Sequence, residues 1–445
     1  MEEKSEKKIA CQENLKSRRV AFLWDESFLW GVISFRVLRG LSLHFDLITA
    51  GDVKSGMLSD YEMLFVPGGW ATDKSNALGE DGKKAIRKFV EDGGSYLGFC
   101  GGAGLALEVE NGLSLLPVTR KRTRERTPNF SGKIQVYSKY RRHPLWRGIP
   151  KPLAFYVWWP SQFSITRQDK VSVLACYNLP ESDFFVSDLC VSDINRYGDN
   201  WKRWEDSYGI RLNPFLLQGE PAVLEGKYGS GKIILSLIHF DTPDDSVGNR
   251  VLFNLWQYLL PAKSGKKLYT IDGIHLPNKE LKIRITPEIL DLAQEMEMSV
   301  RELIAFGERN LLWYWRNHWM LQWRRGIRGF EYCTLFILLS ELSRLIQLSA
   351  FFDIEEDNIN IIKKMKVVEK ILHRFLIKAK ELLIEEKYAM NYGLLNIERD
   401  EGTGIQSRRE ELFSSSKRYG GMFKQLIDSI DALLVLLLRK SQFFS

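Results

Sequence analysis

The chain has 445 residues, of which 44% are hydrophobic and 27% charged, and its formal net charge is +7. That length predicts two or three domains, and the composition is ordinary for a globular protein, excluding disordered and collagen-like classes. So mild a positive charge does not by itself imply a nucleic-acid partner, which is not expected here.

Residues 1–17 read as a flexible N-terminus: Met1 to Lys8 are mostly charged and lack the apolar stretch of a signal peptide. From there to residue 262 strands and helices alternate. Val20 to Trp24 forms a buried strand, and a helical stretch follows to Leu41. Phe45 to Thr49 is a second strand, and Met63 to Val66 a third that ends in Pro67-Gly68-Gly69. Glu80 to Glu91 is an amphipathic helix burying Ala85, Ile86, Phe89 and Val90, with Gly93-Gly94 as its C-terminal cap. Tyr96 to Phe99 follows as a strand. This order specifies an α/β domain of flavodoxin-like or Rossmann-like type with a mostly parallel sheet, whose ligands collect at the C-terminal strand ends.

After Arg120 the pattern turns strand-like, over Lys133 to Tyr137, Ala154 to Trp159 and Val171 to Tyr177. Glu181 to Pro214 has little periodicity and reads as an inserted loop or lid. Ala222 to Glu225 and Ile233 to Ile238 form a hairpin, closed by a helix from about Val247 to Leu260. The intervening Gly226 to Ile233 nearly spells a phosphate-binding loop. It ends in Ile where Ser or Thr would hold magnesium and leads into a strand, so it is a turn.

Residues 263–285 read as a linker. Thr286-Pro287-Glu288 opens a helical bundle domain over 286–445, with helices expected at 288–305, 308–325, 330–352, 357–390 and 408–440. Ser407 to Glu410 has the spacing of a capping box, and Gly420-Gly421 is expected to break the last helix. On the helix expected at 308–325, residues 312, 315, 316, 319 and 323 share one face. That face either packs against other helices or docks a protein partner or a membrane surface. The apolar stretch from Phe330 to Phe352 is interrupted by Glu341, Arg344 and Gln347, so it reads as a buried helix and no transmembrane segment is expected.

The chemistry concentrates at Ser95 to Gly104. An apolar strand breaks at Cys100 into glycines, with Gly98 two residues before it and Gly102 two after, the spacing of a nucleophile elbow. A thiol there projects at the N-terminus of the next helix, whose dipole favours thiolate. His239 ends the strand Ile233 to Ile238 and could face Cys100 across the sheet. Asp241 could fix the imidazole tautomer, and the backbone N–H groups of Gly69 and Gly101 are the candidate oxyanion donors. Cys100 as a small core residue and His239 as a satisfied strand-end histidine are the alternatives.

Five cysteines, at 11, 100, 176, 190 and 333, form no Cys-x-x-Cys pair, which points to a reducing cytoplasm and gives no reason to expect metal or cofactor. The run Arg120 to Arg126, with Arg141, Arg142 and Arg147 nearby, is either a solvated basic loop, the preferred reading, or a site for an anionic ligand or RNA.

Val66 to Gly69, Phe89 to Cys100 and Tyr228 to Lys232 resemble the class I glutamine amidotransferase superfamily over about residues 18 to 262. The branch most similar is the N-terminal domain of biotin–protein ligases. The resemblance implies Cys100 as nucleophile, His239 as base and Asp241 as orienting acid, acting on a small amide-type substrate. The superfamily usually has Gln four residues after the Cys and Glu two after the His, where this chain has Gly104 and Asp241. Residues 263–445 lack the Lys-Trp-Pro-Asn-Asp and Gly-Arg-Gly-Arg stretches of a biotin ligase, so biotinylation is not expected. Two functions stay open: a Cys-dependent hydrolase or acyl-transfer enzyme, or a non-catalytic binding or regulatory module whose Trp-rich region docks a partner.

Overall fold

The computed structural model describes residues 20–196, 200–260, 286–348, 355–391, 404–415 and 418–443. The expected N-terminal extension at 1–17, Cys11 and the linker at 263–285 lie outside these residues. The chain divides into two compact units, Met1–Leu276 and Pro277–Ser445.

The first unit is built on an eleven-stranded mixed sheet. Its parallel half contains β1 (Val20–Leu23), β2 (Asp46–Ile48), β3 (Met63–Val66), β4 (Ser95–Phe99) and β13 (Gly231–Ser236), in the spatial order β2-β1-β3-β4-β13. This is a flavodoxin-like order, with a switch point between β1 and β3, where crossovers diverge to opposite faces and leave a crevice at the strand ends. Strands β1, β3 and β4 are buried along their whole length, as expected when both faces of a parallel sheet are covered. Phe65 binds the layers together, its ring 5.3 Å from Phe22, 5.4 Å from Phe99 and 6.0 Å from Trp256.

The antiparallel half extends the sheet past β13. It runs through β12 (Pro221–Tyr228), β9 (Val171–Pro180), β6 (Phe130–Tyr137), β10 (Phe185–Val186) and β11 (Leu189–Cys190), with β7 (Ala154–Trp158) also paired to β6. The glycine-rich Gly226 to Ile233 segment is the β12–β13 hairpin. Two readings need correction. The Glu181 to Pro214 segment is not an irregular loop: it supplies β10, β11 and helices at Val191–Arg196 and Trp201–Tyr208. The helix before β4 begins earlier than expected, spanning Ala71–Glu91 with a break at Gly79, which has φ 58°.

The second unit is mainly helical, with helices Pro287–Arg309, Gly329–Leu348, Glu355–Asn391, Gly404–Phe413 and Gly421–Phe443. Tyr332, Phe375, Phe413 and Phe423 form a ring cluster at its centre, Phe413 lying 5.8–5.9 Å from the other three. The helix expected at 308–325 is instead a hairpin of β14 (Trp313–Asn317) and β15 (Met320–Trp323). Leu311 has φ 56°, which ends the preceding helix, and aromatic residues on a short pleated ribbon override the helical spacing. Residues 312, 315, 316, 319 and 323 therefore share no helical face. Trp313 is buried, with its indole N–H donating to the Ile304 carbonyl at 3.0 Å. At the other end the chain breaks between Phe413 and Gly421, as the glycine pair predicts. Ser407, however, sits inside a helix that starts at Gly404 and caps nothing. Thr286 stands at an N-cap position before Pro287, but its hydroxyl makes no capping bond. Leu433, Leu434, Leu437 and Leu438 are all buried in the bundle. No helix among the described residues is long and apolar enough to cross a membrane.

Candidate active site

Cys100 follows β4 directly and precedes the helix Gly101–Leu105. Its backbone has φ 47° and ψ −102°, a conformation an L-residue adopts only under constraint. The constraint is the sheet: the Cys100 N–H is held by the Ser236 carbonyl at 2.8 Å, while Gly102 N–H donates to Pro67 at 3.1 Å. The glycines around it are required by contact. A Cβ at Gly98 would lie 2.7 Å from the Gly102 carbonyl, one at Gly101 would lie 1.9 Å from the Gly69 oxygen, and one at Gly102 would lie 2.0 Å from the Val66 oxygen. The elbow read from the sequence is thus a physical turn, with Cys100 partly exposed at its tip.

The turn after β3 lies against it. Gly69, at φ 117°, approaches the Glu26 carbonyl so closely that a Cβ would fall 2.2 Å from it. The N–H groups of Gly69 and Gly101 make no hydrogen bond among the described residues. These are the two groups expected from the sequence to serve as oxyanion donors.

His239 and Asp241 are both fully buried just past β13. His239 Nδ1 lies 3.0 Å from Asp241 Oδ1. The loop that carries them is pinned: the His239 N–H donates to Tyr156 at 2.9 Å, and Asn249 Nδ2 donates to the carbonyls of Phe240 at 3.0 Å and Thr242 at 2.9 Å. Burial disfavours the imidazolium, but the charge and hydrogen bond of Asp241 outweigh it, and Cys100 adds to them. The His239 pKa is pushed up to about 10. His239 Nε2 is buried with no hydrogen-bond partner, and the Cys100 thiol is close enough to raise the imidazole pKa.

Four supporting side chains carry no motif. Trp30 stacks on His239 with ring centroids 4.5 Å apart. Ser34, on the same helix Leu29–Gly40, donates its hydroxyl to Asp241 Oδ2 in a short hydrogen bond. Tyr177, on β9, has a fully buried hydroxyl with no hydrogen-bond partner; burial, reinforced by the Cys100 charge, holds its proton well above the ordinary phenol range. Lys74 is buried beside Gly69, its ammonium donating to the Asp25 carbonyl at 2.9 Å. The i, i+4 spacing of Trp30 and Ser34 was the one available signal, since it places both on one helix face.

A cavity of about 510 Å³ lined by Asp169, Glu225, Lys232 and Tyr258 lies at the opposite end of β13 from His239, away from the thiol. Among the described residues no group of His, Cys, Asp and Glu is placed to hold a metal ion.

The first unit thus places a cysteine turn at the C-terminal end of β4 in a flavodoxin-like parallel β2-β1-β3-β4 sheet. Within it, residues 57–124 match the family described as biotin-protein ligase, N terminal. The matched segment contains β3, Gly69, Gly98 and Cys100 but ends well before His239. No curated protein matches the chain. Among solved structures, a putative GMP synthase subunit protein from Thermoplasma acidophilum is 17% identical, covering 55% of this chain and 94% of that one, with a TM-score of 0.35. A β-galactosidase from Bacillus circulans sp. alkalophilus is 11% identical over 54% of this chain, with a TM-score of 0.32, and only 31% of its own length is spanned. Likenesses of this size transfer no activity.

Proposed function

We propose that the first unit is a Cys-dependent hydrolase or acyl-transfer domain acting on a small amide-type substrate. The observation that carries this reading is the buried His239–Asp241 pair, 3.0 Å apart, facing a cysteine held at positive φ. A histidine that keeps its proton up to about pH 10 is an acid at neutral pH. In this reading Cys100 attacks as thiolate with its proton resting on His239. The sulfur bonds to the carbonyl carbon while Gly69 and Gly101 N–H groups hold the oxyanion. The C–N bond then breaks, and His239 gives its proton to the leaving nitrogen. Water attacks the thioester, releasing the acid and restoring the thiol.

Iodoacetamide labelling of the native protein tests this. Cys100 is expected to react faster than Cys176 and Cys190, with His239→Ala removing the advantage. Labelling of Cys100 no faster than those two overturns the reading.

Gly104, where the superfamily usually has Gln, favours a second reading in which the crevice binds a ligand without turning it over. Cys100→Ser separates the two. A ligand that still binds, with no product formed by the unaltered protein, supports the binding module.

A further inference from the structure

Gly104 lies one helical turn beyond Cys100, its N–H donating to the Cys100 carbonyl at 2.8 Å. The space a side chain would enter from that position is already taken. A Cβ there would lie 3.4 Å from a guanidinium nitrogen of Arg120 and 3.1 Å from the Ala71 methyl. Arg120 ends β5 (Val118–Arg120), which pairs with β8 (Phe163–Ile165) outside the main sheet. This small ribbon brings a cation into the place left by the missing side chain.

A second cation lies within electrostatic reach of the first. Arg126 is partly buried, its Nε is shielded from solvent without a hydrogen-bond partner, and it feels the charge of Arg120. Burial first, then that like charge, lowers its pKa. Neither guanidinium pairs with a carboxylate among the described residues. The neighbouring acids are engaged elsewhere, Glu220 with Lys121 at 2.6 Å and Glu108 with Thr166 at 3.3 Å. A shielded guanidinium nitrogen without a partner, in the field of a second cation, is unfavourable until an anion pairs with it. Guanidinium forks match a planar carboxylate.

We propose that Arg120 and Arg126 bind a carboxylate of the substrate beside Cys100, so that the site takes an acidic amide in preference to a neutral one. The substrate assignment rests on the reading of Cys100 as the nucleophile; the anion site itself does not.

The two are separated by alkylating the full-length protein with iodoacetate and, in parallel, iodoacetamide, reading Cys100 by peptide mass spectrometry. Both reagents form the same S–C bond and expel iodide, and only the first carries a carboxylate. The iodoacetate-to-iodoacetamide rate ratio at Cys100 is expected to exceed that of free cysteine roughly tenfold, the equivalent of one modest charge-assisted contact. Arg120→Gln should return the ratio to the free-cysteine value, and Arg126→Lys should reduce it partway. Arg120 is exposed, so its variant is the one expected to fold, with circular dichroism as the check. A ratio equal to free cysteine, or one unmoved by Arg120→Gln, overturns the anion site even where iodoacetamide reacts fast. A raised ratio lost in Arg120→Gln supports it even where both reactions are slow, the result that would count against the nucleophile.

Discussion

Trp30 lies flat against His239, ring centroids 4.5 Å apart and planes 29° from parallel. Gly68 makes room for the stack, since a Cβ there would fall 2.8 Å from the indole and 3.1 Å from His239 Cε1. Thus the Pro67-Gly68-Gly69 turn serves two ends. The Gly69 oxygen packs against Gly101 of the elbow, and Gly68 leaves space for the ring that stacks on the imidazole.

Ser34 is one turn along from Trp30 and holds the far oxygen of Asp241. Ser34→Ala should leave that buried oxygen without a partner and cost about 1–3 kcal/mol. A lower urea midpoint for the first unit, with unchanged secondary structure, is the expected result.

The His239–Asp241 pair makes stability depend on pH. The folded imidazole pKa of about 10 lies above its ordinary 6.5, so protonated His239 favours the folded state. That contribution is whole below about pH 6.5 and is lost as pH rises through about 10. Melting curves from pH 6 to 10 should fall more steeply for the unaltered protein than for Asp241→Asn, whose uncharged amide no longer holds the proton.

The elbow tolerates no added carbon. Gly101→Ala would place a methyl 1.9 Å from the Gly69 oxygen, and Gly102→Ala one 2.0 Å from the Val66 oxygen. Each should destabilise by about 3 kcal/mol or more, because both obstacles are backbone. Cys100→Gly should do the reverse, relieving the φ 47° strain for a gain of about 1 kcal/mol. Thermal melts of the three variants check both signs.

The second unit carries its own titration. Glu386 is buried against Arg409, with Nε to Oε1 at 2.7 Å. Burial raises its pKa to about 7 from the ordinary 4.5, despite the opposing pull of Arg409. A carboxyl raised in this way contributes stability that is whole below about pH 4.5 and lost as pH rises through about 7. The unit should melt lower at pH 8 than at pH 5, and Glu386→Gln should flatten that difference.

Local pattern made much of the site legible. A buried strand running into Gly-x-Cys-x-Gly describes a turn whose atoms lie within a few residues, so Cys100, Gly98 and Gly102 could be placed from sequence. The pattern misled where a short ribbon competed with a helix: the Trp313 to Trp323 stretch has helical spacing, and only its packing, with Trp313 against Ile304 and Tyr332, selects the hairpin.

The strand ends and the elbow were therefore legible from the chain alone, because backbone sterics over short spans dictate them. The tertiary structure decided what meets there. Ser34 reaches Asp241 across 207 residues, Tyr177 comes to Cys100 from an antiparallel strand, and Arg120 enters the space beside Gly104 from a separate ribbon. Contacts of that separation depend on strand order and crossover, which no local periodicity encodes.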